Sequence, residues 1–260
     1  MQIVDLTNEH LASYLLCLED WNPDVHEAGS RRAQWYEKMR DRGLRVKLAL
    51  DDRGQLGGMI QYLPIEHSVV DGSGLYFVPC IWVHGYPQGR GDFRRQGMGR
   101  ALLAAAEEDA RERGAKGIAA WGLGLPFWMK ASWFKRYGFV KADRTDLLQV
   151  LVWKRFAADA EAPRWFRQQR KPEQVPGKVT VTALVNGWCM GMNLAYERAK
   201  RAAAELGERV ELREVDTSER AAVAEWGLSD ALFIDGRRVR TGPPPSYDKI
   251  RKLIARRMPR

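Results

Sequence analysis

The sequence predicts a mixed α/β protein built in two parts, and three observations carry that reading. Strand-like and helical segments alternate along all 260 residues, more than one average domain needs. A glycine-rich turn, Arg94-Arg95-Gln96-Gly97-Met98-Gly99, joins an apolar run to an amphipathic segment. A basic, proline-containing stretch over 156–177 then reads as a linker, with Trp165 and Phe166 available for local packing, between a first part, 1–155, and a second, 178–260.

In the first part the expected order is a strand over 2–6, a helix over 9–18 capped by Thr7 or Asn8, and a second helix over 29–42. Strand-like runs over 44–50 and 55–62 flank the turn cluster Asp51-Asp52-Arg53-Gly54 and form a hairpin. A turn at Asp71-Gly72-Ser73-Gly74 precedes the apolar run 75–83. After the loop 85–92, the glycine-rich turn opens a helix over 100–113 with Leu102, Leu103 and Ala106 on one face, and Gly114 ends it. A strand over 117–121, a helix over 126–136, a break at Gly138 and a strand over 147–153 complete this part. The second part reads as β, α, β, α, β, α over 178–184, 192–206, 209–215, 219–226, 232–234 and 247–257, a small sheet flanked by helices.

With 45% hydrophobic and 29% charged residues, the composition is that of a globular protein. The first ten residues lack the basic start and apolar run of a secretion signal, and no later stretch is long and apolar enough to span a bilayer, so a cytoplasmic protein without a membrane partner is expected. Cys17, Cys80 and Cys189 are odd in number and far apart, which fits a reducing compartment better than a disulfide framework. No metal-ligand spacing occurs, and no metal is expected. The formal charge of +9 points to anionic partners or to solubility alone. Much of it is C-terminal: residues 237–260 carry nine Lys/Arg against one acid, Asp248. A solvated helix face and frayed tail is one reading, and a nucleic-acid contact is the other, although no recognition motif accompanies the charge.

The chemically most informative segment is Arg94-x-x-Gly97-x-Gly99 between an apolar strand and a helix. Glycines let the backbone approach a pyrophosphate, the free N–H groups and dipole of the helix start favour negative charge, and Arg94, Arg95 and Arg100 add cations. A purely structural turn is the alternative. The pattern is neither the dinucleotide fingerprint nor a P-loop.

This segment resembles the Arg/Gln-x-x-Gly-x-Gly/Ala motif of the GNAT acetyltransferases. Phe134-Lys135-Arg136-Tyr137-Gly138-Phe139 is similar to the aromatic-x-x-x-Gly-Phe ending of that family's later helix. The resemblance covers about residues 1–155 and implies a GNAT acyltransferase fold with acetyl-CoA, or another acyl-CoA, as co-substrate. It places the pantetheine arm along the central strand near Ile81, Trp82 and Val83. The pyrophosphate is expected at Arg94, Arg95, Gln96, Gly97, Met98, Gly99 and Arg100, with Phe134 close to the cofactor. Phe134 occupies the position at which the family often has a tyrosine acid, and Tyr137 lies on another side of the helix. The strand region where a glutamate often serves as base holds no acid. His84, Glu66 and His67 are the candidate bases; His84, at the end of the central strand, is taken as the base, with a plain hydrogen-bonded histidine as the alternative. The aromatic run 121–128 is either an acceptor-pocket wall or core.

In the second part, Trp188-Cys189-Met190-Gly191-Met192 resembles the Trp-Cys-x-x-Cys turn of thioredoxin-like proteins, with Met192 in place of the second cysteine. Ser229-Asp230-Ala231 stands where that fold expects a proline. The module order and Phe233-Ile234-Asp235-Gly236 make the chain similar to YoaP-type proteins, which join a GNAT domain to such a region. Cys189 is a candidate reactive thiol, a structural thiol or a thiol-substrate or metal contact. The resulting expectation is an acyl-CoA-dependent N-acyltransferase acting on a small-molecule amine. A non-catalytic acyl-CoA sensor and an aminoacyl-RNA-dependent transferase are the alternatives.

Overall fold

The structure is a computed structural model that describes residues 1–124, 129–145, 149–239 and 243–258. The chain divides into two compact units: residues 1–21 with 37–165, and residues 22–36 with 166–260. Gln2–Asp5 (β1) is followed by Asn8–Leu15 (α1), and Arg31–Arg40 (α2) by Arg45–Leu50 (β2) and Leu56–Pro64 (β3). Val70–Asp71 (β4), Leu75–Val83 (β5), Gly85–Tyr86 (β6) and Gly91–Asp92 (β7) lead to Met98–Glu112 (α3). Gly117–Leu123 (β8), Ala131–Lys135 (α4), Val140–Arg144 (β9), Gln149–Arg155 (β10) and Arg164–Trp165 (β11) complete the first unit.

Seven strands of this unit form one sheet in the order β1-β2-β3-β5-β8-β10-β9. All neighbours are antiparallel except β5 and β8, the pair that α3 connects. A parallel pair needs such a crossover, because its strands start at the same edge. The helix places Met98, Leu102, Leu103, Ala106 and Ala110 inward at helical spacing and leaves Arg100 and Glu112 in water. Each large apolar side chain so buried contributes about 2 kcal/mol. Under α3 lie Ile60, Tyr62, Val78, Ile118 and Val152.

Several elements differ from the sequence expectation. The first helix ends at Leu15 because Cys17 and Leu18 take positive φ of 54° and 60°, a turn that propensity does not foretell. Residues 22–36 group with the second unit, although they precede it by more than a hundred residues. Within the stretch 156–177, Arg164–Trp165 pairs with β4, and the Phe156 ring lies under the Arg111 guanidinium at 3.8 Å. Gly138 is followed by β9, which the sequence pattern missed. Part of the helix expected over 126–136, and of the aromatic run after Trp121, lies outside the described residues.

The second unit contains Val179–Val185 (β12), Met190–Leu206 (α5), Val210–Asp216 (β13), Arg220–Trp226 (α6), Ala231–Ile234 (β14), Arg237–Arg238 (β15) and Tyr247–Ala255 (α7). Its sheet order is β13-β12-β14-β15, with β12 parallel to β13 and antiparallel to β14. Every residue of β12 is buried, as a central strand covered on both faces requires. Residues 22–36 hold α5 through charge: the buried Arg198 guanidinium meets Asp24 and Glu27 at 3.0 Å each, and Arg31 bonds Glu197 and Glu214.

Candidate active site

β5 and β8 pair only from Leu75/Gly117 to Val78/Ala120, although β5 continues to Val83 and β8 to Leu123. The separation begins at Pro79, which has no N–H to donate. Here the register of β5 against β3 also shifts, between Gln61 and Leu63. Across the opening, Trp121 Nε1 donates to Pro79 O at 2.7 Å. The edge of β5 past this point is not laddered to β8, which leaves backbone groups along it for an extended ligand. Ile81, Trp82 and Val83 all lie on this stretch; Ile81 is buried, and the other two are half-buried.

At the mouth of the opening, Phe93 is anchored in the core and the chain then turns through positive φ at Arg95 (62°) and Gly97 (85°). The first α-type bond of α3 is Ala101 N to Gly97 O, so the N–H groups of Met98, Gly99 and Arg100 have no partner within the helix. With the helix dipole, these donors give the start of α3 partial positive charge. The Met98 side chain is core, so only its backbone faces a ligand. Gly99 packs closely on Trp133: a Cβ there would stand 3.3 Å from its ring, a tight contact.

Two of the expected contact residues have side chains that the protein itself engages. The Arg94 side chain is folded back onto Asp92, with Nε and Nη2 at 2.8 and 2.7 Å from its carboxylate, and holds that carboxyl down at about 2. Arg94 thus builds the turn, as does Gln96, whose amide donates to Asp92 O, while Arg95 and Arg100 are exposed. Phe134, expected close to the cofactor, is wholly buried against Trp133 and Phe139. The neighbour that borders the start of α3 is Trp133, stacked edge-on with Tyr137 at 4.9 Å.

His84 is also fully buried, with both ring nitrogens engaged. Nε2 accepts from Trp21 Nε1 at 2.9 Å, and Nδ1 lies 2.8 Å from Gly91 O, which fixes the proton on Nδ1. With both nitrogens occupied, this imidazole orients Trp21. Glu66 caps a turn by accepting from Gly74 N at 2.7 Å, and His67 follows it in a short 3-10 turn.

The sequence reading missed Glu19. The positive-φ turn at Cys17 and Leu18 turns it toward Trp82, Trp21 and His84. Burial raises its carboxyl above the usual 4.5, against the lowering effect of His84 and of the Trp82 and Trp21 indoles. Glu19 Oε1 and Trp82 Nε1 are both enclosed, and neither closes a well-aligned hydrogen bond among the described residues. The only signal in the sequence was an acid between the first two helices, which is too common to single out.

In the second unit, half-exposed Cys189 is the N-cap residue of α5, and no side-chain capping bond is made there. Trp188 precedes it, and Asp230 accepts from Asn186 N at 3.2 Å. Burial pushes the Asp230 carboxyl up to about 6.

Residues 5–125 match the model of the acetyltransferase (GNAT) family. Similar solved structures include a GNAT family N-acetyltransferase (YhbS) from Escherichia coli in complex with CoA, 17% identical, covering 63% of this chain and 88% of that one, with a TM-score of 0.45. Ribosomal-protein-alanine N-acetyltransferase from Brucella melitensis is 21% identical over 60% of this chain and 100% of its own, TM-score 0.44. Aminoglycoside 6'-acetyltransferase type Ii is 17% identical over 60% and 97%, TM-score 0.45. No curated protein matches the sequence. The family model, the strand order and the parting of the one parallel strand pair give the first unit the GNAT acetyltransferase fold.

Proposed function

We propose that the protein transfers an acyl group from acyl-CoA, with acetyl-CoA as the simplest donor, to the nitrogen of a small amine. The observation that carries the reading is the anion cradle at Gly97–Arg100, set at the mouth of a gap between two parallel strands. The coenzyme's phosphates fit the unpartnered helix N–H groups with Arg95 and Arg100 beside them, and its amide-bearing arm suits the open edge at Ile81–Val83. The thioester then stands where β5 and β8 part, and backbone donors there polarise its carbonyl.

Calorimetric titration of acetyl-CoA into the wild type and Gly97→Val tests this. The valine needs φ near +85°, which costs a non-glycine residue about 1–2 kcal/mol, so the turn rearranges and affinity falls about five- to thirtyfold. Circular dichroism checks that the variant folds. No binding by folded wild type refutes the reading. Binding without release of free CoA in the presence of any amine favours the sensor alternative, for which the buried Phe134 in the acid position is the support.

For the second unit we propose a thioredoxin-like fold, supported by its strand order, and a reactive Cys189, supported by its half-exposed place at the start of a long helix, whose dipole favours thiolate. With methionine at position 192, a local dithiol cycle is not available. Iodoacetamide at pH 7 should modify Cys189 faster than the buried Cys80; equal rates would remove the proposal.

A further inference from the structure

The wall next to the strand gap is aromatic and holds one carboxyl group, that of Glu19. Tyr86 stands 5.9 Å from Trp21 and 6.4 Å from Trp82, ring centre to ring centre, and is 42% exposed. Trp21 is pinned by its bond to His84 and lies on Gly89, where a Cβ would stand 2.5 Å from its Nε1. Glu19 adjoins the indoles of Trp82 and Trp21. The charged and titratable groups that act on Glu19 are His84, whose nitrogens are committed as described, and Asp20. Asp20 is neutralised by Arg90, whose Nε donates to it at 2.9 Å and whose Nη2 bonds Ser13 as well. Among the described residues no Lys or Arg is paired with Glu19; His84 and the Trp82 and Trp21 indoles are what favour its charged form, and its enclosed Oε1 closes no well-aligned hydrogen bond.

Rings present negative faces to a cation, and a carboxylate at their edge adds Coulomb attraction. We infer that Glu19, Trp21, Trp82 and Tyr86 form the acceptor subsite and select an alkylammonium with no carboxylate close to its nitrogen, with Glu19 as the base. This rests on the acyltransferase reading above. In the step, Glu19 takes one proton from the ammonium. The freed nitrogen pair attacks the thioester carbonyl carbon, so that a C–N bond forms and the C–S bond breaks. The nitrogen's second proton goes to the departing thiolate, and Glu19 returns its proton to water. The sum is ammonium plus thioester giving amide, free thiol and one proton. An amino acid is rejected because its carboxylate would meet Glu19 in a partly enclosed site.

The cation site is tested without any donor. Tetramethylammonium, which cannot be acylated, is titrated into the full chain while the indole N–H signals are followed by NMR, with neutral 2,2-dimethylpropan-1-ol as control. The expected result is saturable shifts with the cation alone, weakened about fivefold by Tyr86→Leu, retained by Tyr86→Phe and weakened about tenfold by Glu19→Gln. No saturable shift, or equal binding of the alcohol, or indifference to both Glu19→Gln and Tyr86→Leu, overturns the subsite. Acetyl-CoA binding by the same samples separates the two ideas: cation binding without acetyl-CoA binding sinks the acyltransferase reading alone, and the reverse sinks the subsite alone. Under turnover, butylamine should outperform 4-aminobutanoate and glycine. Glu19→Gln should lose more rate at pH 7 than at pH 9.5, where free amine is abundant; an equal loss at both values refutes the base assignment.

Discussion

Asp230→Asn should change how the second unit's stability depends on pH. The folded-state value of about 6 lies about two units above the ordinary 3.8, so folding favours the neutral carboxyl. Below pH about 4, aspartate is protonated in both states and costs nothing. Between about 4 and 6 the unfolded chain ionises first, stability falls, and above 6 the loss is complete. At 1.36 kcal/mol per pKa unit, two units amount to about 3 kcal/mol. Asparagine keeps an oxygen for Asn186 N but has no charge to desolvate. Its amide also meets the Trp188 side chain, a fixed offset that does not vary with pH. The stability difference, variant minus wild type, should therefore rise by about 3 kcal/mol from pH 4 to pH 7.5. Hydrogen exchange of peptides covering β12 and β14 measures it for this unit alone, with variant and wild type compared at each pH to cancel intrinsic rates. A difference that stays flat across that range would refute the argument that burial governs this carboxyl.

Two further outcomes follow from the ion pairs. Arg100→Ala should weaken acetyl-CoA binding about three- to tenfold and flatten its salt dependence. Arg94→Ala should cost less than threefold, because that guanidinium is spent on Asp92; calorimetry at two salt concentrations distinguishes them. Glu27→Gln leaves the Arg198 side chain, 8% exposed, with Asp24 as its one remaining carboxylate, and should cost about 1–3 kcal/mol, read as faster hydrogen exchange in α5. Unchanged protection there would show that residues 22–36 contribute little to that unit.

Much of the first unit was legible because its elements follow periodicity. The apolar run 75–83 emerged as β5 without change, and Leu102, Leu103 and Ala106 marked the buried stripe of α3. The glycine turn was legible too, since Gly97 and Gly99 answer to local needs, a positive φ in one case and close approach to Trp133 in the other. Side-chain commitments were not. Arg94, His84 and Phe134 are chemically suited to the roles expected of them, yet Asp92, Trp21 with Gly91, and the core claim them first.

What the sequence determined by itself is local: strand and helix periods, the glycine turn, and the thiol at the head of a helix. What the tertiary structure decided depends on contacts between distant residues. It brought Glu19 beside Trp82, 63 positions away, and gave residues 22–36 to the unit that contains α5. Burial, and the partner that reaches each polar atom first, set whether a carboxylate or an imidazole is available for chemistry, and neither is written in the spacing of residues along the chain.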